Sequence, residues 1–112
     1  MKLKGKRIFI TGGAGFIGSH LIERIIDENE IIVFDNLHRN ALAYTNLARH
    51  KNLKLVIGNV LDNEALEKNV DNADIVIHMA SIAGVSTVVE KPNTTLKVNL
   101  IGSYNVLELC TK

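Results

Sequence analysis

The chain has one cysteine, one proline and no tryptophan, and each scarcity excludes something. With Cys110 alone, no internal disulfide can form and no multi-cysteine metal site can be assembled. Cys110 falls in an apolar helical stretch, where a buried structural thiol is expected. With Pro92 the only proline, no Pro-rich linker is present, and no low-complexity segment or internal repeat accompanies it. Charge of one sign is lacking too: 13 basic against 12 acidic side chains leave a formal net charge of +1. Such a surface has no strong field to gather nucleic acid or anionic lipid. The one basic run, Lys2, Lys4, Lys6 and Arg7, reads as a solvated chain start. No apolar run approaches the length of a membrane span, and the Lys-rich start leads directly into a strand. The expectation is a cytoplasmic protein without targeting signal, nucleic-acid partner or membrane partner.

What is present suits one soluble domain: 112 residues, 46% hydrophobic and 22% charged. A chain of this length hides roughly 60–70% of the surface it exposes when unfolded, so it can hold a genuine core. Residues 7–11 (RIFIT) form a β-branched and aromatic run stopped by Gly12 and Gly13, which predicts a buried strand and a tight turn. From Phe16 the period changes. Ile17, Leu21, Ile22, Ile25 and Ile26 recur at helical spacing, with Glu23, Arg24 and Glu28 opposite. Residues 31–34 (IIVF), 53–57 (LKLVI) and 74–78 (DIVIH) predict three more strands. Between them, residues 40–50 can form a helix with Leu42 and Leu47 inward. Residues 62–70 predict another, with Asp62 as N-cap and Ala65, Leu66 and Val70 inward. A short helix ending at Lys91 precedes a last one that Pro92 opens, with Leu96, Leu100 and Leu107 expected inside.

Continuous apolar strands alternating with helices predict an α/β fold, a Rossmann-type doubly wound parallel sheet covered on both faces. Right-handed crossovers give the strand order 3-2-1-4, truncated after the fourth strand and its following helix.

The chemistry centres on residues 11–18, TGGAGFIG. Gly12, Gly15 and Gly18 fall between a strand and a helix at the spacing that lets backbone approach a pyrophosphate. The free N–H groups and positive dipole end of the helix would bind its charge. Cβ atoms are excluded at Gly12 and Gly15, and Gly18 lets the helix pack on the strand. A second signal is independent. Asp35 ends the second strand, seventeen residues beyond Gly18, where a carboxylate accepts from both hydroxyls of an adenosine ribose and repels a 2′-phosphate. NAD is therefore expected over NADP, with nearby Arg39 acting in the opposite direction. The third and fourth strands end in residues 58–62 (GNVLD) and 78–81 (HMAS), on the side where open α/β sheets bind ligands. Asn59 or Asp62 can meet an adenine edge, Asp62 having the competing role of cap. Met79 and Ala80 can meet ribose and phosphates, and His78 reads as a satisfied core histidine.

Taken together, TGGAGFIGSHL, the acid of FDNL, GNVLD, HMASIAGV and KPNTTLKVNLIGSYNVLE resemble the extended short-chain dehydrogenase/reductase family. The similarity is to its nucleotide-sugar epimerases and dehydratases and covers essentially the whole chain. The resemblance implies that Gly12, Gly15, Phe16 and Ile17 bind the pyrophosphate, Asp35 and Asn36 the adenosine ribose, and Asn59 and Val60 the adenine. It further implies that Met79, Ala80 and Ser81 line the dinucleotide and that Asn99 supports the pocket from the last helix. Family members usually carry an acid where Asn59 stands and often a polar residue near Ile82 and Ala83, so this chain departs from them there. The implied reaction takes a hydride from a nucleotide sugar to NAD and returns it, with a tyrosine and a lysine four residues later handling the proton. Neither tyrosine fits that pattern, since Ala48 stands four residues after Tyr44 and Glu108 four after Tyr104. Residues 1–112 are thus expected to be the NAD-binding Rossmann part of a longer enzyme whose sugar domain lies elsewhere, the alternative being a non-catalytic dinucleotide-binding module or sensor. The resemblance also implies a homodimer through the last helix.

Overall fold

The computed structural model describes residues 3–111. Four parallel strands, β1 (Arg7–Thr11), β2 (Glu30–Asp35), β3 (Leu53–Ile57) and β4 (Ile75–His78), lie in the order β3-β2-β1-β4, as expected. Helix α1 (Phe16–Ile25) links β1 to β2, and α2 (Asn63–Val70) links β3 to β4. After β4 come α3 (Val85–Glu90), α4 (Pro92–Leu96), a wider π-helical turn (Lys97–Ile101) and α5 (Gly102–Cys110). Pro92 occupies the first turn of α4, where its missing N–H costs nothing.

Alternation along the central strands divides the core in two. Ile8, Ile10, Ile31 and Val33 project to one face with Ala14, Ile22, Ile26 and Leu42. Phe9, Ile32 and Phe34 project to the other with Val60, Leu66 and Val106. The rings of Phe9 and Phe34 meet at 5.8 Å. At about 1.5–3 kcal/mol for each large side chain fully buried, β1 and β2 supply most of the apolar stabilisation. The outer strands β3 and β4 are only half-buried.

Three expectations need correction. Residues 40–50 form two short 3₁₀ turns, Ala41–Tyr44 and Leu47–Arg49, in place of one helix. Asn40 Oδ1 accepts from Ala43 N and Thr45 Oγ1 from Leu47 N, and these local bonds compete with an α-helical ladder. Leu42 nevertheless points inward as expected. In the last helical stretch Leu96, Leu100 and Leu107 are exposed, because the face that meets the sheet is Val98, Gly102, Val106 and Leu109. Both stripes are apolar. Gly102 selects between them, since a Cβ there would stand 2.6 Å from a methyl of Val60. Cys110 belongs to neither stripe and is exposed.

Candidate functional site

A cleft of about 630 Å³ opens at the carboxyl ends of the strands, where the order reverses between β1 and its two neighbours. Its floor is the glycine turn. Gly12 has φ +74°, and a Cβ on it would lie 2.6 Å from Ala80 N. Gly18, in the first turn of α1, has its Cα hydrogens against Gly13, where a Cβ would come within 2.7 Å of Gly13 Cα. The packing partner of Gly18 is therefore the turn itself rather than the strand. Gly15 is different: a Cβ there would meet only Gly12 O, at 3.4 Å, and the residue faces the cleft.

Gly15 is also the N-cap of α1, with no side-chain cap and no acidic residue in the first turn. The N-terminal amides of a ten-residue helix are therefore left without an internal acceptor at the cleft wall, together with the positive end of its dipole. Phe16 and Ile17 follow, both about three-quarters exposed. Ile17 thus belongs to the cleft and not to the core-facing stripe of α1.

Asp35, at the end of β2, is buried at the opposite side of the turn. Its Oδ2 accepts from Ala14 N at 3.0 Å and its Oδ1 from Leu37 N at 2.7 Å. Asn36 Oδ1 accepts in turn from His38 N. These two side chains hold Leu37 at φ +62°, a left-handed conformation rare for a non-glycine residue, and fold residues 36–39 over the cleft edge. Each carboxylate oxygen keeps acceptor capacity for a hydroxyl donor.

The third wall comes from β3 and β4. Asn59 and Val60 follow β3, and Met79, Ala80 and Ser81 follow β4, all lining the cleft. Asn59 Oδ1 already accepts from Leu61 N, and Asp62 caps α2 by accepting from Ala65 N. Asp62 is absent from the cleft lining, which decides its role in favour of the cap. Apart from Asp62, the structure brings together at this cleft every residue expected there from the sequence except Asn99. Asn99 lies behind the wall, in the π-helical turn. Its Oδ1 accepts from Ile82 N at 2.7 Å and its Nδ2 donates to Ile82 O at 3.0 Å. This two-point pairing fixes the segment after β4 to the last helical stretch.

His78 completes that attachment. Ser103 Oγ must donate to the carbonyl of Asn99, at 2.6 Å, so it accepts from His78 Nε2–H at 3.0 Å. Nδ1 then accepts from Thr11 Oγ1–H at 2.6 Å, and the same Thr11 oxygen accepts from the N–H groups of Met79 and Ala80. The imidazole is neutral with its proton on Nε2, and burial lowers its pKa from the ordinary value. Both ring nitrogens are occupied, as expected of a core histidine.

Sequence reasoning missed the far rim: His38, Thr87, Lys91, Thr94 and Val98 also line the cleft. They come from two separate stretches of chain that only the crossover after β4 brings together. Neither tyrosine lines it. Tyr104 donates to Glu108, and this hydrogen bond and the adjacent negative charge raise its pKa, the wrong direction for a base.

Fold and cleft define a doubly wound α/β nucleotide-binding domain with its ligand side at the glycine turn. Comparison with known proteins narrows the class. The model of the NAD dependent epimerase/dehydratase family matches residues 8–112, and the chain belongs to this family. UDP-N-acetyl-alpha-D-glucosaminuronate decarboxylase of Bacillus cytotoxicus is 34% identical over 96% of this chain and 33% of its own length. Among solved structures, the UDP-N-acetylglucosamine 4-epimerase of Methanobrevibacter ruminantium superposes with a TM-score of 0.88 at 33% identity, over 96% of this chain and 34% of that one. WbmG of Bordetella bronchiseptica, solved in complex with NAD, superposes with a TM-score of 0.83 at 29% identity, over 96% and 34%. The chain thus spans about a third of the length of these relatives.

Proposed function

We propose that this chain is the NAD-binding part of a nucleotide-sugar epimerase or dehydratase, residues 1–112 forming its Rossmann portion. The observation that carries this reading is the uncapped N-terminus of α1 opening into the cleft across from the buried carboxylate of Asp35. One end suits a pyrophosphate and the other a ribose diol, the two polar features of a dinucleotide. In this reading Gly12, Gly15, Phe16 and Ile17 hold the pyrophosphate, and Asp35 with Asn36 holds the adenosine ribose. Asn59 and Val60 border the adenine, and Met79, Ala80 and Ser81 border the rest of the dinucleotide. Asn99 acts one layer back, by fixing Ile82.

When bound, NAD supplies a reversible hydride acceptor for the sugar. The residues of this chain bind and orient it and exclude water from one side of it. The proton-transfer pair belongs, in this proposal, to polypeptide outside these residues, since no Tyr-x-x-x-Lys occurs here. The nucleotide sugar is then the substrate of the whole enzyme, in the cytoplasm. A homodimer through α4 and α5 is supported by the exposed row of Leu96, Leu100 and Leu107. Among the described residues no helix is long and apolar enough to cross a membrane.

Titration with NADH, followed by its fluorescence, tests the cofactor assignment. The chain should bind NADH, and Asp35→Ala should weaken it by about tenfold or more, as expected for hydrogen bonds to a charged acceptor. Unchanged affinity in the variant would remove the ribose assignment.

A further inference from the structure

The cleft holds an imbalance that overall composition conceals. Its ionisable lining consists of Asp35, His38, Arg39 and Lys91. The carboxylate of Asp35 is compensated by two backbone N–H groups. Arg39 has no such compensation, for no carboxylate among the described residues is within ion-pairing distance of it. Its position is unusual as well. The residue starts on the β2 side of the cleft, yet its Nη2 lies only 3.7 Å from where a Cβ would stand on Gly84, on the β4 side. Gly84 has φ +105°, so the guanidinium rests against bare backbone there. The turn that launches Arg39 is built by Asp35 and Asn36, whose side chains fix Leu37 and His38. The facing wall, Met79 to Ala83, and Gly84 just beyond it carry no charged side chain of their own.

We infer that Arg39 is a cross-cleft phosphate ligand: it bridges the mouth from β2 to Gly84 and contacts the pyrophosphate of the bound dinucleotide from the side opposite α1. The inference rests on the dinucleotide reading above. Its physical basis is that α1 offers only backbone donors and half a dipole charge on one side. An unpaired guanidinium on the other side completes the neutralisation with a planar fork of donors suited to phosphate oxygens. Arg39 thereby acts on the same ligand as Asp35, whose turn aims it.

The test is a set of titrations on the full chain, comparing adenosine, ADP-ribose, NADH and NADPH, for the parent, Arg39→Ala and Arg39→Lys. Arg39→Ala should weaken ADP-ribose and NADH by about tenfold and leave adenosine unchanged, and Arg39→Lys should recover part of the loss. The dependence of NADH affinity on salt should also become shallower in Arg39→Ala. Equal loss for adenosine would make Arg39 a structural part of the wall and overturn the inference. Loss confined to NADPH would assign the guanidinium to a 2′-phosphate and overturn it too. Unchanged NADH affinity in Arg39→Ala, with the parent binding, would overturn it while leaving the dinucleotide reading intact. Failure of the parent to bind NADH would instead remove that reading.

Discussion

Three glycines at equal spacing respond to three different pressures, and substitution separates them. Gly12→Ala combines a positive φ with a Cβ driven into the backbone of Ala80. Strain and overpacking together should cost about 2–4 kcal/mol. Gly18→Ala gains helix propensity but presses on Gly13, so a smaller loss of about 1–2 kcal/mol is expected. Gly15→Ala meets nothing closer than 3.4 Å and should leave stability within about 0.5 kcal/mol of the parent. It puts a methyl group at the cleft surface, however, so NADH affinity should fall. Urea denaturation of the three variants, paired with NADH titration, checks the order. A stable Gly15→Ala variant with undiminished affinity would detach that residue from the site. Spacing alone assigns Gly12 and Gly15 one role and Gly18 another. What each glycine of the triplet packs against follows only once Ala80 and Gly13 are in place beside it.

Elements were legible where a long-range pattern repeats and illegible where local polar groups decide. The four strands follow from uninterrupted apolar runs, and their order follows from the handedness of the crossovers. Residues 40–50 misled because Asn40 and Thr45 turn their side chains onto nearby backbone. The last helical stretch misled for another reason, since it has two apolar stripes and only the depth allowed by Gly102 chooses between them. That stretch is held on the sheet partly by polar bonds, and two predictions follow from its attachment. Buried Asn105 donates to Val60 O at 3.0 Å, so Asn105→Leu should cost about 1–3 kcal/mol by stranding that carbonyl. His78, with its pKa lowered in the fold, takes up its proton more readily in the unfolded chain. Its contribution to stability is therefore complete above the ordinary value of 6.5, is lost as pH falls below it, and levels off under the folded value. Denaturation midpoints at pH 7.5 and 5.5 should differ more in the parent than in His78→Gln. An equal difference in both would show that the titration lies elsewhere.

At the scale of the molecule, burial declines outward from β1 and β2 to the half-buried β3 and β4 and the largely exposed α3. Amide exchange should follow the same gradient, slowest in the central pair and fastest around residues 82–91. Added NADH should slow exchange chiefly at residues 12–18, 35–39, 58–60 and 79–83, segments that meet at the cleft. Protection spread evenly over the chain would indicate general stabilisation without a local site. The asymmetry of the cleft was not visible in a composition with nearly equal charges. It arises because backbone amides absorb the one acid while Arg39 and Lys91 arrive from different crossovers.

The pairing of β1 fixes when the site can exist. Ile8 pairs with Ile31 across a single helix, but with Ile75 only after β2, β3 and α2 have been traversed. Closing the longer loop costs more chain entropy, so β4 docks late, and Ala80 reaches Gly12 only when it does. The cleft is then assembled late in folding and comes apart early. A ligand that reads this cleft has nothing to hold while the chain is folding, so it should leave the refolding rate nearly unchanged and slow unfolding instead.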